Sequence, residues 1–408
     1  SIEKAAALSS GHYSLLAIGS DWFKTAMESG DSLDIRLMAG ADGGVALRVY
    51  NTRLEPAEEI SVDELDGGRI LFEAHETGDC YLEIEPLAPS KEPLYDLSLQ
   101  RILPFEGIFP LKPAGLWYTG VALLDPDCGA GRVEMTLVGG DGFPRAGYSD
   151  SSTSYLRGVT ETSFGLSCPD NGYIRVYSDS PQKGLHVTRS AWDPRMSGSN
   201  IIPAERAASD LFFPYLAVEA WKCDPRVGII NLDDQTEVVF RTIYGPEGET
   251  IYENSIQLAP GQKRVEHVSD IARDAVSMSV CAASGRDCLV GSLEFWSGPM
   301  FQYRTSALVP LPLERKTELI VPHIASGVEW PTHGLWRTDI AVMNTGDIDS
   351  LVTFTAYDVS GAQIDSAVHR LRPNQTFKNE AAEIFLVSAV DIASVRISSD
   401  GRPLCGFI

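Results

Sequence analysis

A chain of 408 residues, 44% of them hydrophobic, is long enough for roughly three or four domains with ordinary packed cores. Its 56 acidic and 33 basic residues give a net charge of −23, which argues against binding to nucleic acids or anionic membranes, because both require basic surfaces. No apolar run approaches the length of about 18 residues that a transmembrane helix needs.

Short alternating runs of apolar and polar residues recur along the whole chain. Clusters of Gly, Pro, Asn and Asp separate these runs at intervals of roughly ten residues, a spacing typical of β-sandwiches and barrels. Only two short stretches, at 269–273 and 380–385, have the composition of helical turns. We therefore predict an all-β protein. Clear examples of the alternation are residues 34–37, Val45–Tyr50, 173–177 and 393–397.

Residues 11–100 carry motifs that do not recur later in the chain. An Asp-Trp-aromatic step is followed by a Gly-Asp turn into an alternating strand, a central strand, a Thr-Gly-Asp-Cys-Tyr-Leu strand and a closing Tyr-Asp-Leu. These motifs lie, in order, at 21–23, 29–35, Val45–Tyr50, 77–84 and 95–97. Their order resembles that of the bacterial pre-peptidase C-terminal (PPC) domain family.

The resemblance implies that residues 1–104 form a small β-sandwich, which in this family accompanies secreted bacterial proteins, often proteases, as a non-catalytic accessory. Members of the family often carry alternating acidic residues on the central strand, where they can hold calcium. In this chain the central strand reads Gly-Val-Ala-Leu-Arg-Val-Tyr, without those acids. The family's calcium site is therefore in doubt here.

The rest of the chain contains an internal repeat. Three segments, 121–142, 227–248 and 340–361, share one gapless spacing in which an apolar residue is followed by Asp or Asn after 4 residues, by Val after 8 more and by Gly after 9 more. The closing glycine of each segment is expected at a turn that needs positive φ. A Leu-x-Pro-x-Gln element follows in the second and third copies, at 258–262 and 371–375, and is absent from the first.

A repeat of roughly 100 residues with about seven short strands has the size of an immunoglobulin-like sandwich. The three copies also resemble the Ig-like repeats of bacterial surface proteins, without pointing to a specific family. We therefore predict a series of β-sandwich domains, one PPC-like and three Ig-like, with boundaries at 1–104, 105–208, 209–316 and 317–408.

Seven cysteines are present, and none has the spacing of a metal site. Cys281 and Cys288 flank six residues between two apolar stretches, so a hairpin there would place the two sulfur atoms face to face and predicts a disulfide. Cys128 and Cys168 form a second candidate pair within one repeat. The alternative is that all the thiols are reduced and buried, as in a cytosolic protein. We favour an oxidising, extracellular compartment.

Acidic residues recur at the first turn of each repeat. The functional interpretation is a calcium site, because oxygen ligands on a tight turn suit that ion. The structural interpretation is that short acids and amides bond their own backbone in Asx turns, and it is favoured because no turn has enough ligands for a calcium loop. The candidate residues are Asp125 and Asp127, Asp233 and Asp234, and Asp347 and Asp349.

Two connectors, at 188–211 and 297–319, share a Ser-x-apolar-apolar-Pro step and are predicted to be ordered. Their aromatic residues are expected to hold neighbouring modules or subunits together, whereas Trp117 and Trp336 are expected in module cores rather than as platforms for sugars. The connector aromatics are Trp192, Trp296, Phe301 and Tyr303.

No nucleophile elbow, metalloprotease motif, phosphate-binding loop or dinucleotide fingerprint occurs, so neither an enzyme nor a cofactor is predicted. We expect a secreted or cell-surface structural or adhesive protein, with polymerisation into a filament or layer as one option. Its partners would be further copies of itself, other extracellular proteins or polysaccharide. The alternative is a carbohydrate- or protein-binding accessory region of a larger secreted hydrolase.

Overall fold

The structure is a computed structural model built almost entirely from β-strands. Among the residues it describes, no helix is long and apolar enough to cross a membrane. The helical elements of the described residues are α1 (Ala381–Ile384) and three 3₁₀ turns, at Ala204–Arg206, Val268–Asp270 and Ala389–Asp391. The described residues are 5–8, 11–17, 19–41, 43–63, 67–88, 92–103, 105–110, 117–126, 131–150, 155–159, 171–190, 196–216, 223–272, 274–297, 308–311, 315–325, 329–330, 334–335 and 338–407.

The chain divides into two compact units. Unit 1 comprises Ser1–Glu205 together with Ala259–Lys263, and unit 2 comprises Arg206–Leu258 and Arg264–Ile408. Each unit contains two separate hydrophobic cores among its described residues. In unit 1 one core lies within 17–99 and the other within 109–201. In unit 2 the cores lie within 211–293 and 321–404. The predicted all-β series of sandwiches is confirmed.

The N-terminal sandwich of unit 1 has a five-stranded sheet, in the order β1-β3-β8-β5-β6, and a four-stranded sheet, in the order β2-β9-β4-β7. Its strands are β1 (Ala6–Ala7), β2 (Gly11–Leu16), β3 (Asp21–Met27), β4 (Ser32–Ala39), β5 (Val45–Tyr50), β6 (Pro56–Val62), β7 (Gly67–Glu73), β8 (Gly78–Pro86) and β9 (Leu94–Ile102).

The first repeat, also in unit 1, forms the sheets β13-β12-β15-β10-β18 and β14-β11-β16-β17. Its strands are β10 (Phe105–Pro110), β11 (Trp117–Leu124), β12 (Val133–Val138), β13 (Pro144–Asp150), β14 (Tyr155–Val159), β15 (Tyr173–Ser178), β16 (Lys183–Ser190), β17 (Met196–Asn200) and β18 (Ile202–Pro203).

The second repeat forms the sheets β19-β24-β21-β22 and β23-β20-β25-β26. Its strands are β19 (Asp210–Phe213), β20 (Cys223–Asn231), β21 (Glu237–Tyr244), β22 (Thr250–Leu258), β23 (Lys263–His267), β24 (Ser277–Ala282), β25 (Leu289–Ser297) and β26 (Leu308–Leu311).

The third repeat forms the sheets β27-β34-β31-β32 and β33-β30-β35 and the small ribbon β28-β29. Its strands are β27 (Glu318–Val321), β28 (Glu329–Trp330), β29 (Gly334–Leu335), β30 (Asp339–Asn344), β31 (Ser350–Tyr357), β32 (Gln363–Leu371), β33 (Thr376–Glu380), β34 (Ser394–Ser399) and β35 (Leu404–Phe407).

All four sandwiches share one strand order. If the seven strands common to them are numbered in chain order, starting at β3, β10, β19 and β27, one sheet has the order first-sixth-third-fourth and the other fifth-second-seventh. In an immunoglobulin domain the first, second, fourth and fifth strands share a sheet. The repeats are therefore sandwiches of a different order from the expected Ig-like one, and the N-terminal sandwich has the same order as the repeats.

Alternation along each strand explains why these sequences form two-layered sandwiches. In β31, Val352, Phe354 and Ala356 are fully buried between the sheets, whereas Leu351 beside them is half exposed. Successive side chains of a strand point to opposite faces, so an apolar residue at every second position covers one face of the sheet.

A buried cluster of charges lies in unit 1. The Asp34 carboxylate, 2% exposed, accepts hydrogen bonds from the Arg69 Nε at 2.7 Å and the Arg36 Nε at 3.3 Å. Nearby, the Arg175 Nε donates to Glu106 at 2.7 Å. Burial alone would raise the pKa of Asp34, but the charges of Arg36 and Arg69 and the hydrogen bond from Arg69 outweigh it and lower that pKa.

We expect Asp34→Asn to lower the free energy of unfolding of unit 1 at pH 7 by about 3–5 kcal/mol, because it leaves buried arginines without their counter-charge. The lowered pKa means that the carboxylate stabilises the fold above about pH 4, and that this contribution disappears as pH falls through the folded-state pKa. The gap between wild type and variant should therefore shrink in acid.

Denaturant unfolding at a series of pH values measures this gap. Asp63→Asn is the control, because Asp63 is exposed, and a change within about 0.5 kcal/mol is expected there. A gap for Asp34→Asn that is independent of pH would contradict the assignment.

Candidate functional site

Each sandwich has the same bulged turn after its third strand. The strand register shifts by one residue just before the turn, at 49/50, 137/138, 243/244 and 356/357. In the repeats the turn is Gly139–Phe143, Gly245–Glu249 or Asp358–Ala362, and its fourth residue donates its N–H to the carbonyl of the first at 3.0–3.1 Å. The fourth residue has positive φ and is Gly142, Gly248 or Gly361. We call these segments the bulged turns.

The Leu-x-Pro-x-Gln element forms a second kind of turn, which closes on its own glutamine. The Gln262 N–H donates to the Ala259 carbonyl at 3.0 Å, while the Gln262 Oε1 accepts from the Ala259 N–H at 2.9 Å. Gln375 makes the same two bonds with Arg372, at 3.1 and 2.9 Å. We call Ala259–Gln262 and Arg372–Gln375 the proline turns.

The third residue of each proline turn has positive φ, 67° at Gly261 and 61° at Asn374. Glycine and asparagine are the residues that adopt this conformation most readily. The pattern Pro-(Gly or Asn)-Gln is therefore a requirement of the local backbone.

In unit 1 the proline turn docks on the bulged turn of the first repeat. A Cβ atom on Gly142 would lie 2.4 Å from the Pro260 carbonyl oxygen, so a side chain at this position would collide with the neighbouring main chain. The Tyr173 hydroxyl donates to the Gly261 carbonyl at 2.9 Å, and the Lys263 N–H donates to the Gly140 carbonyl at 3.0 Å. We call this contact the unit 1 joint.

Two buried cations complete the unit 1 joint. The Lys263 ammonium, on a residue only 3% exposed, donates to the Gly172 carbonyl at 3.2 Å. The Arg36 guanidinium donates to the Gly142 carbonyl at 3.2 Å. A Cβ atom on Gly261 would lie 2.9 Å from that guanidinium and 3.1 Å from the Gly142 carbonyl oxygen, so the space around this glycine is tight.

Unit 2 contains the same contact, between the second and third repeats. A Cβ atom on Gly248 would lie 2.3 Å from the Pro373 carbonyl oxygen, and the Ser277 hydroxyl donates to the Asn374 carbonyl at 3.3 Å. The Arg372 guanidinium lies 3.2 Å from the Glu247 carboxylate. We call this contact the unit 2 joint.

The two joints use equivalent positions. Tyr173 and Ser277 are each the first residue of the sixth strand of their repeat, and each gives a hydroxyl to the third residue of a proline turn. Among the described residues, the glycine always comes from one repeat and the proline turn from a later one. The repeat in the sequence includes both elements, but it predicts only a turn at the glycine and does not show that the two elements meet.

A signal for this pairing is visible in the sequence. The first repeat, which lacks the Leu-x-Pro-x-Gln element, follows the one sandwich whose bulged turn has Leu54 instead of glycine at the positive-φ position. A leucine side chain there is incompatible with the close approach seen at Gly142 and Gly248. The sandwich whose bulged turn lacks the glycine is thus followed by the repeat that lacks the proline turn.

In the second and third repeats, an Asn side chain links the first turn to the last residue of the fourth strand. The Asn231 Nδ2 donates to the Gln235 and Leu258 carbonyls at 2.8 and 3.1 Å, and the Asn344 Nδ2 donates to Ile348 and Leu371 at the same distances. The Asn231 Oδ1 accepts from the Asp233 N–H and the Asn344 Oδ1 accepts from the Gly346 N–H, each at 3.0 Å, which is the Asx-turn chemistry of the structural interpretation.

The acidic calcium candidates are mostly engaged with protein groups. Asp125 accepts from the Ser180 hydroxyl at 2.8 Å, Asp233 pairs with Arg286 at 2.6 Å, and Asp349 pairs with Arg370 at 2.6 Å. Asp234 and Asp347 are exposed, and Asp127 lies outside the described residues. Over the described ranges, no group of three or more His, Cys, Asp or Glu side chains converges as a metal site would require.

The predicted Cys281–Cys288 disulfide is corrected by the structure, in which both thiols are free. Cys281 lies on the outward face of β24, between the inward-facing Val280 and Ala282, whereas Cys288 is 4% exposed within the hydrophobic core. The two sulfur atoms thus occupy opposite faces of the sheet. Burial raises the pKa of each thiol to about 11, which disfavours the thiolate that disulfide formation needs.

Several predicted features fall outside what the structure describes. Cys128 and Cys168 are among them, as are residues 191–195, 298–307 and 312–314 of the two connectors. The side chains of Trp117, Trp192, Trp296, Phe301, Tyr303 and Trp336 also lie outside the described part of the chain.

Comparisons with known proteins find only distant similarity. No protein-family model matches the chain, and no curated protein matches it. One similar solved structure is the pre-peptidase C-terminal domain of a collagenase from Bacillus anthracis, with 13% identity over 24% of this chain and 95% of that chain and a TM-score of 0.21. Another is the Bacillus anthracis TIE protein, with 8% identity over 95% of this chain and 72% of that chain and a TM-score of 0.08.

The first of these structures belongs to the kind of domain that the N-terminal motifs resemble. Both TM-scores are too low to support an argument about this chain. The N-terminal resemblance is therefore a weak one, and no family is assigned to the three repeats.

The unit 2 joint is tested by comparing Gly248→Ala with Gly361→Ala. Both glycines occupy the same place in a bulged turn, with φ of 83° and 82°, but nothing lies within 4 Å of a Cβ atom at Gly361. Both variants incur about 1–2 kcal/mol of backbone strain. Gly248→Ala also breaks the joint, so we expect it to lower the free energy of unfolding of unit 2 by at least about 1 kcal/mol more. Equal losses in denaturant unfolding would contradict the joint.

The Asx-turn interpretation predicts that calcium does not stabilise the protein. We expect the same thermal melting temperature with calcium and with EGTA, because Arg286 and Arg370 already neutralise Asp233 and Asp349. A calcium ion bound to the folded state alone would stabilise it by about 2.7 kcal/mol at a hundredfold excess over its Kd. A melting temperature that rises with calcium would revive the calcium sites.

Proposed function

We propose that this protein is a non-catalytic structural or adhesive protein, secreted or displayed at a cell surface, in which β-sandwich modules are joined in series. The observation that carries the proposal is the docking of a proline turn on a bulged turn, which occurs once in each unit. The elements that recur at fixed spacing along the sequence are thus the elements that connect modules.

The chemistry of the joints suits a permanent connection. Main-chain carbonyls and hydroxyls supply most of the polar contacts, and the approach is closer than any side chain would allow. Gly142 is buried and Gly248 half-buried. Buried main-chain groups must be hydrogen-bonded, so separating a joint would leave carbonyls and hydroxyls without their partners.

An extracellular location is proposed from the resemblance of the N-terminal motifs to the PPC family. The free thiols of Cys281 and Cys288 add nothing to this proposal. The net charge of −23 favours solubility, because the surfaces of two copies repel each other electrostatically. Assembly would therefore require specific contacts rather than non-specific association. The partners proposed are further copies of the protein, other extracellular proteins or polysaccharide.

The test is assembly or attachment of the full chain. We expect light scattering at rising concentration to detect species heavier than the monomer, with filaments or layers in negative-stain images, or co-sedimentation of the chain with cell envelopes. Gly248→Ala should weaken either property, because it disrupts the unit 2 joint on which the series depends.

Gly285→Ala provides a matched control in the same repeat. Gly285 also has positive φ, 70°, but nothing lies within 4 Å of its Cβ position, so the variant carries backbone strain without breaking a joint. Monomers without any attachment would count against the proposal. A hydrolytic activity that one point mutation abolishes would replace it with an enzyme.

A further inference from the structure

The bulged turn of the third repeat has the geometry of the two docked turns but is open. Gly361 has a φ of 82°, against 89° and 83° at Gly142 and Gly248, and its N–H donates to the Asp358 carbonyl at 3.0 Å. No described atom lies within 4 Å of a Cβ atom placed on it. Exposure of the equivalent glycine thus rises from buried at 142, through half-buried at 248, to exposed at 361.

The hydroxyl donor of a joint is also in place. Tyr173 and Ser277 pair across the sheet with the last residue of the third strand, Val138 and Tyr244 respectively. Ser394 holds the same position, paired with Tyr357. The third repeat therefore presents both the turn and the hydroxyl that receive a proline turn in the other two repeats.

The tip of the open turn carries exposed apolar surface. Val359, which is 95% exposed, stands where the docked turns have Gly140 and Pro246. In both joints the carbonyl at this position accepts a hydrogen bond. The Gly140 carbonyl accepts from the N–H of Lys263, which follows the proline turn, and the Pro246 carbonyl accepts from the Gln375 Nε2. Leu386 is 100% exposed, and its N–H donates to the carboxylate of Asp365, three residues beyond the end of the turn.

We propose that Asp358–Ala362 and Ser394 form the docking surface for the proline turn of one further sandwich module. The occupant is a Leu-x-Pro-Asn-Gln turn rather than a glycine-containing one, because Ser394 has the short hydroxyl of Ser277, whose partner is Asn374. This inference rests on the proposed function and adds to it the partner of the last repeat.

The occupant is not one of the two proline turns described in this chain. Ala259–Gln262 already holds Gly142, and Arg372–Gln375 already holds Gly248. A second copy of the chain would have these same turns engaged, so head-to-tail association of identical chains through this surface is not expected. A further module that brings its own proline turn satisfies the site.

The experiment uses the full chain extended by a second copy of residues 298–408 after Ile408. Within the unit 2 joint the Arg372 guanidinium lies 3.2 Å from the Glu247 carboxylate, so Glu247→Cys with Arg372→Cys serves as the internal reference for cross-linking. Ser360 is the equivalent of Glu247 on the open turn. The new cross-link is therefore sought between Ser360→Cys in the third repeat and Arg372→Cys in the appended copy. The covalent tether keeps the effective concentration of the appended module high.

A short bifunctional thiol reagent joins the cysteines, and peptide mass spectrometry maps the linked residues. In every variant, Cys281→Ser removes the native thiol that is exposed among the cysteine side chains the structure describes. Gly361→Val in the extended chain is the matched control, because its side chain would fill the space of the proline turn. Hydrogen exchange over the appended strands shows that the appended module is folded. A second extended chain carries residues 206–316 instead, with Ala259→Cys, and with Gly261→Asn so that the appended turn has the Pro-Asn-Gln sequence; the result then does not depend on one appended module.

We expect the new cross-link to form as readily as the internal one and to fall at least tenfold with Gly361→Val. An internal cross-link without the new one, in both extended chains, would overturn the docking surface and leave the proposed function standing. Failure of the internal cross-link in a folded chain would instead contradict the joints, and with them the proposed function.

Discussion

The absence of one carbon atom governs how these sandwiches connect. At Gly142 and Gly248 a Cβ atom would lie within 2.4 Å of a carbonyl oxygen from another turn, so the two main chains meet where no other residue fits. The same glycines have positive φ, which closes the bulged turn. Two independent requirements, a positive φ and a close approach of another main chain, thus fall on one position. Gly361 has the positive φ, but no described residue approaches it closely.

The four sandwiches differ in sequence far more than in architecture. A common strand order relates the N-terminal sandwich to the repeats, although its motifs lack the repeat's spacing. Sandwich cores require apolar residues at alternate positions and tolerate many choices of side chain, so topology persists while the sequence changes. The connecting elements tolerate less, because Leu54 in place of glycine removes a docking position, and the next repeat has no proline turn.

Charge plays two separate roles in this chain. Most acidic residues give a surface of strong negative charge, whereas a few are buried and paired, such as Asp34 with Arg36 and Arg69. Two of the acidic turn residues that were calcium candidates, Asp233 and Asp349, are half-buried. Each forms an ion pair with an arginine, so these carboxylates act as structural partners of cations within the chain.

By itself the sequence determined the features that depend on neighbouring residues: the strands, from alternation; the bulged turns, from glycine; and the repeat, from its constant spacing. Only the tertiary structure decided which surfaces meet. Gly142 contacts Pro260, which is more than a hundred residues later in the sequence. Whether Cys281 and Cys288 point to the same side of the sheet depends on how β24 packs against the core. Local pattern fixes backbone conformation, but contacts between distant residues are selected by the packing of whole sheets, which no short stretch of sequence contains.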